Sequence, residues 1–200
     1  MIKLKLLEIS PDILKEANSY FPQDYLDKLR QFKPNSFDSS LVSRYAVSLL
    51  AKEVYDIEDF IPEVDFEDEW FEDFFYSISH KDDKVFVWVS DDTIWLDIEK
   101  HKERDESVFE YFTSRELQTL GWKNLENFYI WWTAKESLIK YLELWIDDIY
   151  DIEIIRVIKE SNTIWDVEFK LVLMLNYEDN YFKAYSGNMK NDWIYYSIIT

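Results

Sequence analysis

An α+β fold follows from two kinds of apolar periodicity in this chain and from their order. Residues Ile2–Glu8 alternate at period two, and so do four runs after Ile152. The stretches between carry apolar residues at helical spacing. The resulting coarse order is strand, two helices and a hairpin, then strand, two helices and a meander. That grouping packs helices against antiparallel sheets rather than alternating them with parallel strands.

Each element has a local reason. Ser10-Pro11 reads as an N-cap followed by proline at the first helical position, with Ile13, Leu14 and Ala17 behind it. A short helix is expected over Tyr25–Phe32, and Pro34 to Asp38 forms a break. A longer helix over Ser39–Tyr55 places Leu41, Tyr45, Ala46, Leu49 and Leu50 inward. The acidic run Asp56–Glu72, which contains Pro62, reads as an irregular, solvated connection. Phe74–His80 and Lys84–Val89 form a hairpin about Lys81-Asp82-Asp83, and Thr93–Glu99 is the next strand. Thr113-Ser114-Arg115-Glu116 has the spacing of a capping box that opens a helix closed by Gly121. Asn124 to about Leu144 is a long helix. The meander runs over Ile152–Lys159, Trp165–Leu175, Tyr181–Ser186 and Trp193–Ile199, with turns at Glu160–Asn162 and Asn176–Asn180.

Two hundred residues, 48% of them apolar, can enclose a sizeable core. The charge of 22 − 41 = −19 excludes nucleic acid and anionic membrane surfaces as general partners. The absence of cysteine excludes disulfides and thiolate metal sites. No uncharged apolar run reaches the length of a membrane span, and Met1–Lys5 lacks an apolar signal core, so a cytoplasmic protein is expected.

The chemistry concentrates in Trp132-Thr133-Ala134-Lys135-Glu136-Ser137-Leu138-Ile139-Lys140. On a helix Glu136 and Lys140 lie one turn apart on one face, and Lys135 points about 100° away. Asp97 and Glu99 share a face of the earlier strand. Three carboxylates with ammonium groups beside them suit Mg²⁺ next to a phosphate ester. His101, in a charged loop, reads as a surface residue, and Trp132 as a core anchor of the helix.

Ser79-His80, Asp97-Ile98-Glu99, Tyr111-Phe112-Thr113-Ser114-x-Glu116 and Trp132-x-x-Lys135-Glu136-Ser137-x-x-Lys140 together resemble the 4′-phosphopantetheinyl transferase superfamily. The likeness is to its larger, single-chain type. The resemblance implies two similar halves related by a pseudo-two-fold axis, with the active site in the cleft between them. Residues 1–92 would form the coenzyme A side, and residues 93–200 the half with the metal site and long helix. The implied activity is Mg²⁺-dependent transfer of 4′-phosphopantetheine from coenzyme A to a serine of an apo acyl or peptidyl carrier protein, releasing 3′,5′-ADP, by a monomer. Asp97, Glu99 and Glu136 match the family's metal ligands. Lys135 and Lys140 match its diphosphate contacts, and Ser79 and His80 its strand-end phosphate contact. Arg44 lies one turn before the position, Ser48, where the family often has an arginine for the 3′-phosphate. Either Glu136 or a metal-held water serves as the base. Carrier proteins are commonly acidic, as this chain is, so a local basic patch must face the carrier.

The family has glycine two residues before the metal aspartate, where this chain has Trp95. Trp145 follows the long helix where glycine is usual, and Trp88 and Trp122 stand where glycine is plausible. Nine tryptophans accompany two glycines, where average usage of about 7% glycine gives roughly fourteen. Reading UGA glycine codons as tryptophan would produce that pattern, with tryptophans at positions that need glycine. A different class of function, an acidic interaction protein that mimics nucleic-acid charge, or an inactive transferase homologue, is the alternative reading.

Overall fold

A computed structural model of the chain describes residues 2–65, 68–71, 74–121, 123–164, 167–189 and 194–199. It is α+β, and it divides into two compact units, residues 1–93 and 94–200.

In the first unit, strand β1 (Ile2–Glu8) leads into helices α1 (Pro11–Tyr20), α2 (Gln23–Phe32) and α3 (Phe37–Tyr55). Strands β2 (Asp68–Phe71), β3 (Phe74–Lys81) and β4 (Lys84–Ser90) follow, and the antiparallel sheet has the order β1-β4-β3-β2. Ser10 caps α1 as its sequence position requires, its Oγ accepting from Ile13 N at 3.3 Å. Helix α3 lays Val42, Ala46, Val47 and Leu50 on Phe74, Tyr76, Ile78, Val85, Val87 and Val89. Strand β2 departs from the expected irregular connection. Its four residues pair with Ser77–Phe74 of β3, and the acidity of the surrounding stretch hides so short an edge strand.

The second unit begins with β5 (Trp95–Lys100). A 3₁₀ turn over Glu106–Tyr111 leads to α4 (Ser114–Leu120) and α5 (Leu125–Tyr141). A second 3₁₀ turn, Ile146–Tyr150, precedes β6 (Glu153–Ile164), β7 (Val167–Tyr177), β8 (Asn180–Met189) and β9 (Ile194–Ile199). The antiparallel sheet has the order β5-β9-β8-β7-β6, so the strand bearing Asp97 and Glu99 sits at an edge. The turn expected at Glu160–Asn162 is instead part of β6. There the chain absorbs its polar residues in a register shift between Lys159 and Asn162.

Helix α5 is fixed over this sheet by hydroxyls. Thr133 Oγ1 meets Ser197 Oγ at 2.8 Å, and Ser197 Oγ meets Ser186 Oγ on β8 at 2.7 Å. Ser137 Oγ donates to the Ser197 carbonyl at 2.9 Å. All four residues are buried, so each hydroxyl needs a partner. Ser197 also pairs in register with Asp97. The bonds that hold α5 on β9 therefore set its height against β5.

A second tie is ionic. Glu116 forms the capping box of α4 with Thr113. Its Oε2 accepts from Thr113 N at 2.8 Å and its Oε1 from Ile154 N at 3.0 Å. Lys135 Nζ lies 2.8 Å from Oε1, with both side chains buried. One carboxylate thus joins the starts of α4 and β6 to the middle of α5. Removing one member of a buried pair strands the other charge. Lys135→Met is expected to cost about 3–5 kcal/mol of stability in chemical denaturation, and combining it with Glu116→Gln to recover part of that loss. Ser197→Ala, which leaves the Thr133 and Ser186 hydroxyls short of a partner, is expected to cost about 1–3 kcal/mol in the same measurement.

Candidate active site

The face of α5 that carries Thr133 continues through Glu136 to Lys140, because steps of three and four residues stay on one side of a helix. Beside it, strand alternation turns Asp97 and Glu99 the same way, and both are buried at 5% and 6% exposure. Lys140 Nζ donates to Asp97 Oδ1 at 3.0 Å and to the Leu96 carbonyl at 3.2 Å. The other Asp97 oxygen, Oδ2, is buried and has no hydrogen-bond donor. The Glu136 carboxyl is pushed up to about 9 by burial first, then by the charge of Asp97 and a hydrogen bond with it; Lys140 pulls it down, and Glu99 pushes it further up. Near neutral pH Glu136 therefore keeps its proton beside Asp97, where a second bare carboxylate would be repelled.

Asp97, Glu99, Glu136 and Lys140 are thus one cluster within the second unit. Among the described residues, no group of three or more His, Cys, Asp or Glu side chains stands arranged to hold a metal ion. The donor set is nevertheless the right chemistry for a hard divalent cation. It is all oxygen, with a donorless buried Asp97 oxygen and a Glu136 proton whose place a cation can take.

Two residues expected to contact coenzyme A have partners inside the protein. Lys135 does not face these carboxylates. It lies about 100° around the helix from Glu136, as one residue's offset dictates, and pairs with Glu116 while its Nζ donates to the Ile149 carbonyl at 3.4 Å. Arg44 is fully buried. Its guanidinium donates to the Ser40 carbonyl of α3 (3.3 Å) and to the carbonyls of Glu63 (3.2 Å) and Val64 (2.8 Å), which lie on irregular backbone and have to be satisfied. These bonds hold residues 63 and 64 to α3. Ser79 and His80 lie near the end of β3 in the first unit, Ser79 buried and His80 half-buried, opposite Phe86 and Val85.

The tryptophan reading meets a conformational test. Trp145 has φ −81° and ψ 154°, extended backbone open to any residue, and it is exposed. The left-handed residue after α5 is Glu143, at φ 54°. Trp88 fills a fully buried place in β4, and Trp122 lies outside the described residues. Among the described residues, the non-glycine positions with positive φ are five aspartates or glutamates besides Glu143, and none is a tryptophan.

One site neighbour escaped the sequence reading. Tyr129 lies seven residues before Glu136 on the same helix face, a spacing that was readable. Its hydroxyl donates to the Lys102 carbonyl at 2.8 Å and accepts from Lys102 N at 2.8 Å. His101, expected at the surface, is half-buried, its ring 5.5 Å from Tyr129 and 6.1 Å from Tyr195.

The raised Glu136 value fixes a pH dependence. Between its ordinary value of 4.5 and about 9, the folded protein holds a proton that the unfolded chain has released. Its contribution to stability is therefore whole below about 4.5 and falls as pH rises toward 9. Denaturation midpoints of metal-free protein are expected to fall across that window, and Glu136→Gln to flatten the slope.

Among curated proteins none matches the chain. Residues 96–193 match the family model of the 4′-phosphopantetheinyl transferase superfamily. This segment, which contains Asp97, Glu99 and the whole of α5, is a domain of the 4′-phosphopantetheinyl transferase superfamily.

Proposed function

We propose that this protein transfers the 4′-phosphopantetheine arm of coenzyme A to a serine hydroxyl of an apo acyl or peptidyl carrier protein, with Mg²⁺, and releases 3′,5′-ADP. It acts as a monomer in the cytoplasm. The observation that carries the reading is the cluster of Asp97, Glu99, Glu136 and Lys140, inside the segment that matches the family.

In the reaction the serine oxygen bonds to the β-phosphorus of coenzyme A and the phosphoanhydride bond to the α-phosphate breaks. The bridging oxygen leaves with 3′,5′-ADP. Asp97, Glu99 and Glu136 would hold the ion, and bound Mg²⁺ supplies charge neutralisation to the diphosphate oxygens. Lys140 brings a further positive charge to the leaving phosphate from the same helix face. Its bond to the Leu96 carbonyl keeps the ammonium at the strand even when Asp97 is otherwise engaged. The serine proton passes to Glu136, once its own proton has been displaced, or to a water beside it. Burial of the carboxylates at the edge strand thins out competing water. Ser79 and His80 are assigned to the coenzyme's phosphates on the family resemblance alone.

The test is incubation of the protein with coenzyme A, Mg²⁺ and an apo acyl carrier protein, followed by mass spectrometry. A gain of one phosphopantetheine on the carrier is expected. Asp97→Ala and Glu136→Ala are expected to slow transfer by about 10²–10³-fold, and Lys140→Ala by about 10²-fold. A protein that binds basic partners through its acidic surface but leaves the carrier unmodified, with or without Glu136, would support the charge-mimic alternative.

A further inference from the structure

We propose that Trp145, Ile146 and Tyr150, rimmed by Glu143, Asp147 and Asp151, form a docking surface for a basic, arginine-bearing segment of a partner protein other than the acidic carrier. The inference stands apart from the transferase reading, since no part of it uses the carboxylate cluster.

The argument begins with three apolar side chains on the outside. At the 3₁₀ turn after α5, Trp145 is 83% exposed, Ile146 51% and Tyr150 57%. Single exposed apolar residues are ordinary, but three in one short segment, rimmed by charge, mark a contact surface. Their backbone is held in place. Ile149 and Ile152 are buried, the Ile149 carbonyl accepts from Lys135 Nζ at 3.4 Å, and Trp145 N donates to Asp148 Oδ2 at 2.8 Å. Tyr150 stacks on Tyr111 at 5.7 Å and 29°. The segment is therefore ordered before any partner arrives, which lowers the entropy lost on binding.

The second observation is the sign of the rim. From Tyr141 to Ile155 the chain has five Asp or Glu and no Lys or Arg. One of the five, Glu153, pairs with Arg115 at 3.3 Å, and Asp148 caps its own segment. Glu143, Asp147 and Asp151 are exposed, and among the described residues none of them forms an ion pair. The β7–β8 turn adds the exposed Glu178 and Asp179. That turn adjoins the segment, because the Tyr177 phenol is pushed up by burial first and then by the charges of Glu178, Asp148 and Asp151.

Such a surface repels the acidic carrier and an anionic membrane. It also repels a second copy, since a two-fold pairing would set each rim against the same rim. Charge complementarity therefore selects a basic partner, and the chemistry inside the patch selects arginine. A guanidinium stacks on an open indole face while its fork reaches a carboxylate nearby, and Trp145 has Asp147 beside it in the chain. An ammonium is more strongly hydrated and lacks that fork.

Fluorescence anisotropy of labelled synthetic peptides tests the inference. The probe is a peptide of leucine and arginine, and its controls replace arginine by lysine or leucine by serine. Neither coenzyme A nor carrier is present, so a failed transfer assay leaves the result untouched. Wild-type protein is expected to bind the leucine–arginine peptide about tenfold more tightly than Trp145→Ser/Ile146→Ser, which has the same net charge. For the wild-type protein, the lysine peptide is expected to bind about threefold more weakly and the serine peptide about tenfold more weakly. Asp147→Asn/Asp151→Asn is expected to weaken binding and to flatten its salt dependence. Equal binding by the wild type and Trp145→Ser/Ile146→Ser reduces the attraction to net charge and overturns the inference. A wild-type dimer in analytical ultracentrifugation that the same variant dissolves assigns the patch to a second copy and overturns it too. So does wild-type protein that ignores the peptide and binds phosphatidylcholine vesicles through Trp145.

Discussion

Carboxylates crowded into a buried corner cannot all stay ionised without positive charge among them, and that constraint organises the second unit. Asp97 and Glu99 are placed by one strand and Glu136 by a helix crossing it. Lys140 neutralises one oxygen of Asp97, while Glu136 answers the remaining repulsion by keeping its proton. Such a corner weakens a fold that only has to be stable. Under the proposed transferase function the same oxygens would serve a divalent cation in place of the proton.

The scaffold around that corner satisfies its own polar groups in ways that leave the four site residues in place. Thr133, Ser137, Ser186 and Ser197 hold α5 at a fixed height on β9. Glu116 and Lys135, on the other side of the helix, stop it from rotating. The two lysines of one motif are therefore divided between tasks. Lys140 faces the carboxylates, and Lys135 is an internal strut. A single residue's offset on the helix is enough to separate them.

Much of this was legible in the chain. Period-two and helical runs located β1, β3, β4 and β5 and all five helices, and Gly121 at φ 91° ends α4 where expected. Asp97, Glu99, Glu136 and Lys140 could be named because strand and helix periodicities fix which residues share a face. What periodicity does not carry is what lies across that face. Arg44 resembled a ligand contact because its position on α3 was right, but its partners are carbonyls nineteen and twenty residues away. Lys135 resembled one because its motif was right, but its partner is a cap on another helix. Strand β2 and the outer part of β6 were lost for a different reason. Acidic and polar residues there read as solvated turns, and only pairing with β3 and β7 makes them strands.

The central proposal is that Asp97, Glu99 and Glu136 would hold one cation, and that Glu136 would give up its proton to it. Calorimetric titration with Mg²⁺ near neutral pH, in buffers of different ionisation enthalpy, tests it most directly. Binding is expected to release about one proton per ion in the wild-type protein and close to none in Glu136→Gln. Magnesium that binds without releasing a proton, or binds equally well to Asp97→Asn, would contradict the account.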